Sequence, residues 1–204
     1  MIAIVDYGMG NVASVRNALA LLGAEGVITS APEDFERATH IIFPGVGAFP
    51  DGMRELEERG LIPILKKEVL GKKKPFLGIC LGMQLLATMG EEGGETRGLG
   101  WIQGAARKFR IDEKKFRLPH IGWDDVSISG ECPLFAGVSL PVFYFVHSYV
   151  LEPEGEDAHG TAAACSYGET FTAAIQKENI FGVQFHPEKS QKSGLTLLRN
   201  FISL

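Results

Sequence analysis

Three short stretches of this 204-residue chain hold residues that could perform covalent chemistry together. The first is Gly78-Ile79-Cys80-Leu81-Gly82. It is the cysteine counterpart of a nucleophile elbow, in which small residues on both sides let the chain reverse sharply around the nucleophile. A cysteine so placed stands at the carboxyl end of a strand, beside a helix N-terminus whose partial positive charge favours thiolate. The second stretch is His186-Pro187-Glu188. A nucleophilic cysteine needs a base, and the base needs an orienter. Across a stiff proline, Glu188 could accept from one imidazole nitrogen of His186 and leave the other to face Cys80. The third is Pro44-Gly45-Val46-Gly47. Acyl transfer requires donors for a developing oxyanion, commonly two backbone amides. The amide of Leu81, directly after the nucleophile, is one candidate, and that of Gly47 in the glycine-rich loop is the other. Each stretch also has a plain reading: an inert buried cysteine, a surface His-Glu pair, an ordinary tight turn. A zinc site would need His186 and Glu188 plus further ligands, nominally Cys80 and His147. The three stretches together favour acyl transfer over these, with no metal.

The surrounding pattern is that of elements able to position such groups. Ile2–Val5 is a short β-branched run, as for a strand covered on both faces, and Val12, Val15, Leu19 and Leu22 follow at helical spacing up to Gly23. Short strands are expected again at Val27-Ile28, at His40–Phe43 and at Pro75–Ile79. One or two helices are expected over 51–70, interrupted near Gly60 and Pro63, and another from Gly82 to Thr88. Repeated βα units of this kind predict a largely parallel sheet flanked by helices. The second half differs: strands are expected within 101–116, 125–129, 142–151 and 170–185, joined by turns. The predicted fold is therefore mixed α/β, an open sheet with added antiparallel strands, closed by an apolar helical face at Leu195, Leu198, Phe201 and Ile202. With no internal repeat or long linker, residues 1–204 are expected to form one domain.

Bulk properties exclude several classes of function. Hydrophobic residues make up 45% and charged residues 22%, ordinary values for a globular chain. A net charge of −5 and a pI near 5.6 give no electrostatic reason to expect nucleic acid or an anionic membrane as partner. The cationic run Lys72-Lys73-Lys74 is expected to be a solvated loop before a strand, with a partner or phosphate contact as the alternative. Three scattered cysteines form neither a disulfide framework nor a CxxC pair, and no apolar run reaches the length of a membrane span. A reduced, cytoplasmic setting is expected.

Gly78-Ile79-Cys80-Leu81-Gly82-Met83-Gln84 together with Gln184-Phe185-His186-Pro187-Glu188-Lys189-Ser190 resembles the class I, triad-type glutamine amidotransferases. Further blocks narrow the likeness: Val5–Asn11, Pro44–Phe49, His120-Ile121-Gly122-Trp123 and Tyr144–Tyr149 resemble the glutaminase subunits of imidazole glycerol phosphate synthases. The likeness spans nearly the whole chain. One departure is Asp124, where these subunits commonly carry Asn. The resemblance implies a Cys80–His186–Glu188 triad that hydrolyses glutamine without a cofactor, with the amides of Leu81 and Gly47 holding the oxyanion. It further implies that Gln84, Glu92 and His147-Ser148-Tyr149 bind glutamine. It also implies a (β/α)₈ cyclase as partner in a heterodimer, met near Asn11, Trp123, Tyr144 and Lys189, whose ligand activates the glutaminase. A peptide reorientation near Val46 is expected to complete the oxyanion hole. Open alternatives are a glutaminase subunit feeding pyridoxal phosphate or anthranilate synthesis, a stand-alone γ-glutamyl cysteine hydrolase, and a non-catalytic binding subunit.

Overall fold

The structure, a computed structural model, describes residues 1–204. Its first half runs β1 (Ile2–Val5), α1 (Val12–Leu21), β2 (Gly26–Thr29), α2 (Pro32–Arg37), β3 (His40–Gly45), α3 (Phe49–Glu58) and α4 (Leu61–Lys66). A wider π turn over Lys67–Gly71 then leads to β4 (Phe76–Cys80) and α5 (Leu81–Gln84). The second half holds β5 (Ala87–Gly90), β6 (Thr96–Arg97), β7 (Ile102–Lys108), β8 (His120–Asp125), β9 (Ser127–Ile128), β10 (Val142–His147) and β11 (Tyr149–Pro153). β12 (Thr161–Tyr167), β13 (Glu169–Lys177), β14 (Ile180–Val183) and α6 (Gln191–Phe201) complete it.

The main sheet has eight strands in the order β2-β1-β3-β4-β14-β13-β12-β9. The five strands from β2 to β14 run parallel, and β13, β12 and β9 continue antiparallel. Both faces are covered, because successive side chains of a strand point to opposite faces. Ile2 and Ile4 join an apolar cluster with Val15 and Leu19 of α1 and Leu197 and Leu198 of α6. Ala3 and Val5 join the opposite cluster, with Phe35 of α2, Leu56 of α3 and Leu65 of α4. A smaller sheet, β11-β7-β5-β6, and a two-stranded ribbon, β10-β8, complete the mixed α/β architecture. No helix is long and apolar enough to cross a membrane.

Three local expectations need correction. The helix expected from Gly82 to Thr88 stops after α5, and Ala87–Gly90 is a strand. The carbonyls that would extend the helix are taken elsewhere: Leu85 O accepts from the Leu99 amide, and Leu86 O from those of Trp101 and Ile102. Gly60 breaks the 51–70 segment in left-handed geometry, but Pro63 does not. It sits in the first turn of α4, where a helix has no need of that N–H. β12 was absent from the expected strands because Ala162, Ala163 and Ala164 carry little β signal, yet it pairs with β13 and β9. The lysine run is a loop before β4 as expected, with Lys72 and Lys73 exposed, but its cations are paired. Lys72 and Lys74 both reach the fully buried carboxylate of Glu68, at 2.9 and 2.7 Å, and Lys73 pairs with Glu178.

Register decides which segments surround Cys80. β4 lies between β3 and β14, with Gly45 opposite Cys80 on one side and Val183 opposite Ile79 on the other. The chain leaving β3 therefore delivers Val46 and Gly47 to one flank of the sulfur, and the chain leaving β14 delivers His186 to the other. Crevices at the carboxyl ends of parallel strands are where open α/β sheets take ligands.

Candidate active site

Cys80 adopts φ +55° and ψ −110°, a left-handed conformation that costs a non-glycine residue energy and is kept only where the surroundings enforce it. The enforcement comes from backbones packed too closely for side chains. A Cβ on Gly82 would lie 1.9 Å from the Phe43 carbonyl oxygen, and one on Gly78 2.8 Å from the carbonyl oxygen of Gly82. A Cβ on Gly45 would lie 2.3 Å from the Tyr7 hydroxyl. The small residues that the elbow requires are thus demanded by β3 as well as by the turn itself. Cys80 is 6% exposed; its Sγ lies 3.9 Å from the Val146 carbonyl and 3.8 Å from Gln184 Nε2.

His186 is 1% exposed and held through its backbone. Its amide donates to the Tyr144 carbonyl at 2.9 Å, and its carbonyl accepts from Ser190 Oγ at 2.6 Å. On the ring, Nδ1 stands 2.9 Å from Glu188 Oε1, while the buried Nε2 has no hydrogen-bond partner. Glu188 is placed by a 3-10 turn over Pro187–Lys189, and its side chain is 1% exposed. Burial opposes a charged His186, but Cys80 and Glu188 on either side outweigh it and raise the imidazole to about 10. Such a site favours an imidazolium beside the sulfur through the neutral range.

A cavity of about 260 Å³ gathers Val46, Gly47, Cys80, Leu81, Gln84, Glu92, Pro119, Val146, His147, Ser148 and Tyr149. Its volume lies near the lower end of the range for small-molecule sites. Every residue expected at the oxyanion and substrate positions lines it. Gln84 Nε2 donates to the Tyr149 carbonyl at 2.8 Å and to Gln184 Oε1 at 3.1 Å, leaving its carbonyl oxygen for a ligand. Glu92 Oε2 accepts from the Phe49 amide at 2.8 Å, so this acidic loop residue is anchored at the start of α3. His147 donates from Nδ1 to the Tyr149 carbonyl at 2.9 Å, and burial, its largest influence, lowers its pKa to about 3.

The residues expected at a partner surface fall mostly together. Trp123 on β8 is 44% exposed and pairs across the ribbon with Tyr144 on β10, their rings 5.8 Å apart. Lys189 Nζ lies 5.7 Å from the centre of the Tyr144 ring. Asn11 precedes α1 and accepts from the Ser14 hydroxyl at 2.8 Å, a helix-start role of its own.

Sequence reasoning missed two polar neighbours of Cys80. Gln184 had a signal, a fully buried amide within the apolar run from Ile180 to Phe185. Tyr7 is fully buried with an unpartnered hydroxyl, and burial, followed by Cys80, pushes its pKa up. Nothing in the local sequence marks it beyond its place after a buried strand.

The chain belongs to the class-I glutamine amidotransferase family, which residues 3–204 match. A solved structure of a glutamine amidotransferase superposes with a TM-score of 0.77 at 20% identity, over 100% of this chain and 98% of that one, a likeness of fold. Within the family, the chain groups with the HisH subunits of imidazole glycerol phosphate synthase. It is 46% identical to HisH 2 of Pseudomonas aeruginosa over 100% of both chains. It is 48% identical to HisH 2 of Methanococcus maripaludis over 99% of this chain and 98% of the relative.

Proposed function

We propose that this chain hydrolyses glutamine to glutamate and ammonia at Cys80 and delivers the ammonia to a cyclase subunit of imidazole glycerol phosphate synthase. The observation that carries the reading is the left-handed Cys80, set between the Gly47 loop and a buried His186–Glu188 pair. In the proposed reaction the Cys80 sulfur attacks the side-chain carboxamide carbon, forming a C–S bond and an oxyanion that the amides of Leu81 and Gly47 receive. His186 gives its proton to the departing nitrogen as the C–N bond breaks, and ammonia leaves behind a thioester. Water then adds with His186 as base, the C–S bond breaks, and glutamate departs. Glu188 keeps the imidazole oriented throughout. Glu92 offers a carboxylate to the substrate ammonium, and Gln84 with the 147–149 segment holds its main-chain end.

The exposed Trp123, the Tyr144 ring and Lys189 form the surface offered to the cyclase. Aromatic residues rimmed by a cation are the usual anchors of such interfaces. Direct delivery keeps ammonia from protonation and loss to water. The chemistry requires no cofactor, and the cytoplasm is the compartment this function fits. Glutamate release from glutamine, measured for the chain alone and then with the cyclase and its nucleotide ligand, tests the whole proposal. Activity that needs the complex and vanishes in Cys80→Ala is expected. Equal activity without the partner would point to another acceptor, and activity retained in Cys80→Ala would overturn the mechanism.

A further inference from the structure

We propose that Asp124 and His120 share one proton beyond the ordinary complement of a carboxylate and a neutral imidazole, and that this proton positions His147 and the Ser148-Tyr149 edge of the cavity. The positioning part rests on the glutaminase reading; the proton count does not.

The count follows from a chain of three hydrogen bonds. The Tyr149 carbonyl can only accept, so His147 Nδ1 donates to it at 2.9 Å. His147 Nε2 faces His120 Nδ1 at 3.2 Å, and His120 Nε2 faces Asp124 Oδ2 at 2.6 Å. Three such bonds require three protons. Two neutral imidazoles supply one each and a carboxylate supplies none, so the chain is one proton short unless an extra one is bound. Without it, His120 keeps its one proton on Nε2 towards the Asp124 carboxylate, and two lone pairs oppose each other across the His120–His147 contact, the longest of the three. The chain ends on the same Tyr149 carbonyl that accepts from Gln84, so its state is transmitted to the cavity wall.

The surroundings place the extra proton between His120 and Asp124. Burial holds His147 neutral. His120 is packed among the rings of Phe109, Phe145 and Phe171 and stacks on Tyr167 at 4.1 Å. The titratable groups around it are Asp124 and Asp125 on its own strand, His147 on β10, and Tyr167 and Cys165 on β12. The Tyr167 hydroxyl is committed as a donor to the Arg117 carbonyl, and burial, then Asp124, pushes the Cys165 thiol up to about 12, so that thiol keeps its proton near neutrality. His186 lies beyond His147 and influences that ring rather than His120. Burial lowers the His120 pKa below its ordinary value even though Asp124 opposes it. The shared proton is therefore the first of the three to leave as pH rises. The Asp124 side chain, 39% exposed, is the route by which it exchanges with water.

Imidazole nitrogen NMR of the ¹⁵N-histidine-labelled chain against pH tests the count. His120 should titrate in the native chain, losing the proton on Nδ1 that faces His147, while His147 stays neutral with its proton on Nδ1. In Asp124→Asn the amide can donate to a neutral His120, so that titration should vanish. A titration unchanged in Asp124→Asn, or a proton on His147 Nε2, would overturn the proposal. For positioning, KM for glutamine in the cyclase complex should rise about fivefold across the native titration, the worth of one hydrogen bond, with little change in kcat. It should stay low and flat in Asp124→Asn and high throughout in Asp124→Leu. A KM insensitive to both pH and these variants would sink the positioning role, and absence of turnover in the native complex would sink the glutaminase reading; neither touches the NMR result.

Discussion

On the Cys80 side of the cavity, β3, β4 and β14 hold the residue by contact of backbone with backbone, whereas on the opposite side β8, β10 and β11 hold His147 and Tyr149 by side-chain hydrogen bonds. The first arrangement leaves no room for relaxation, because glycines at 45, 78 and 82 bring main chains into direct contact. The second depends on where protons sit, so its geometry can respond to pH and to a ligand that competes for the Tyr149 carbonyl. A nucleophile whose backbone is strained needs rigidity, since slack would let the strain relax and move the sulfur. A surface that must admit and release a small molecule is better served by polar contacts that can be exchanged.

The most severe way to break this contrast is at the joint between the base and its orienter. Glu188→Gln should lower glutamate release by roughly 10²–10⁴-fold, as expected when a buried carboxylate no longer fixes the imidazole. It should also bring the His186 titration down from about 10 towards its ordinary value. The sign is definite: a raised histidine contributes stability that is fully present below about pH 6.5 and is lost as pH rises through about 10. By urea unfolding at several pH values, the variant should lose most stability below about pH 6.5, progressively less as pH rises towards 10, and little above it. An unshifted His186 would mean that Glu188 does not hold the ring.

Steric positioning makes a second, nearly as large prediction. Gly82→Ala would place a methyl 1.9 Å from the Phe43 carbonyl, a fixed backbone atom. Overpacking of this kind should cost about 3 kcal/mol, lowering Tm by roughly 6–12 °C. Activity should fall with it, because β3 must move away from Cys80. A variant as stable and active as the native chain would show that the elbow has slack after all. Removing polar contacts on the other side should be gentler. Gln84→Ala deletes the donor to Tyr149 and Gln184, and should raise KM for glutamine about five- to tenfold while kcat changes little.

The same contrast explains what was legible in the sequence. The parallel half could be read from short apolar runs alternating with helical spacing, and Cys80, His186 and Glu188 from residue types at fixed offsets. The three proposed triad positions lie at or just beyond strand ends, so an error of a residue or two in a boundary does not move them. The hydrogen-bonded side was harder. Its members are separated in sequence, as Asp124 and His147 are, and nothing local to either states that His120 joins them. The alanine-rich β12 failed for a different reason: its partners supply the strand character that its own side chains lack. Gln84 and Glu92 came from the family likeness, and their anchoring to Tyr149 and Phe49 became visible only in three dimensions.

The smallest effect is expected at Tyr7, where the steric account is most exposed to refutation. Its hydroxyl is buried against Gly45, close enough to Cys80 to feel its charge, and finds no partner. If the parallel side positions Cys80 by shape alone, this hydroxyl is a burden, since a buried donor without an acceptor costs the folded state its lost hydration. Tyr7→Phe keeps the ring that packs 4.9 Å from Phe43 and deletes only that oxygen. Stability should then be unchanged or rise by about 1 kcal/mol, with glutamate release within about twofold of the native chain. A rate lowered tenfold or more at undiminished stability would show the hydroxyl acting on the sulfur or on the oxyanion that forms beside it. Tyr7 would then belong to the reacting centre, and close packing could no longer account for how β3 and β4 prepare Cys80.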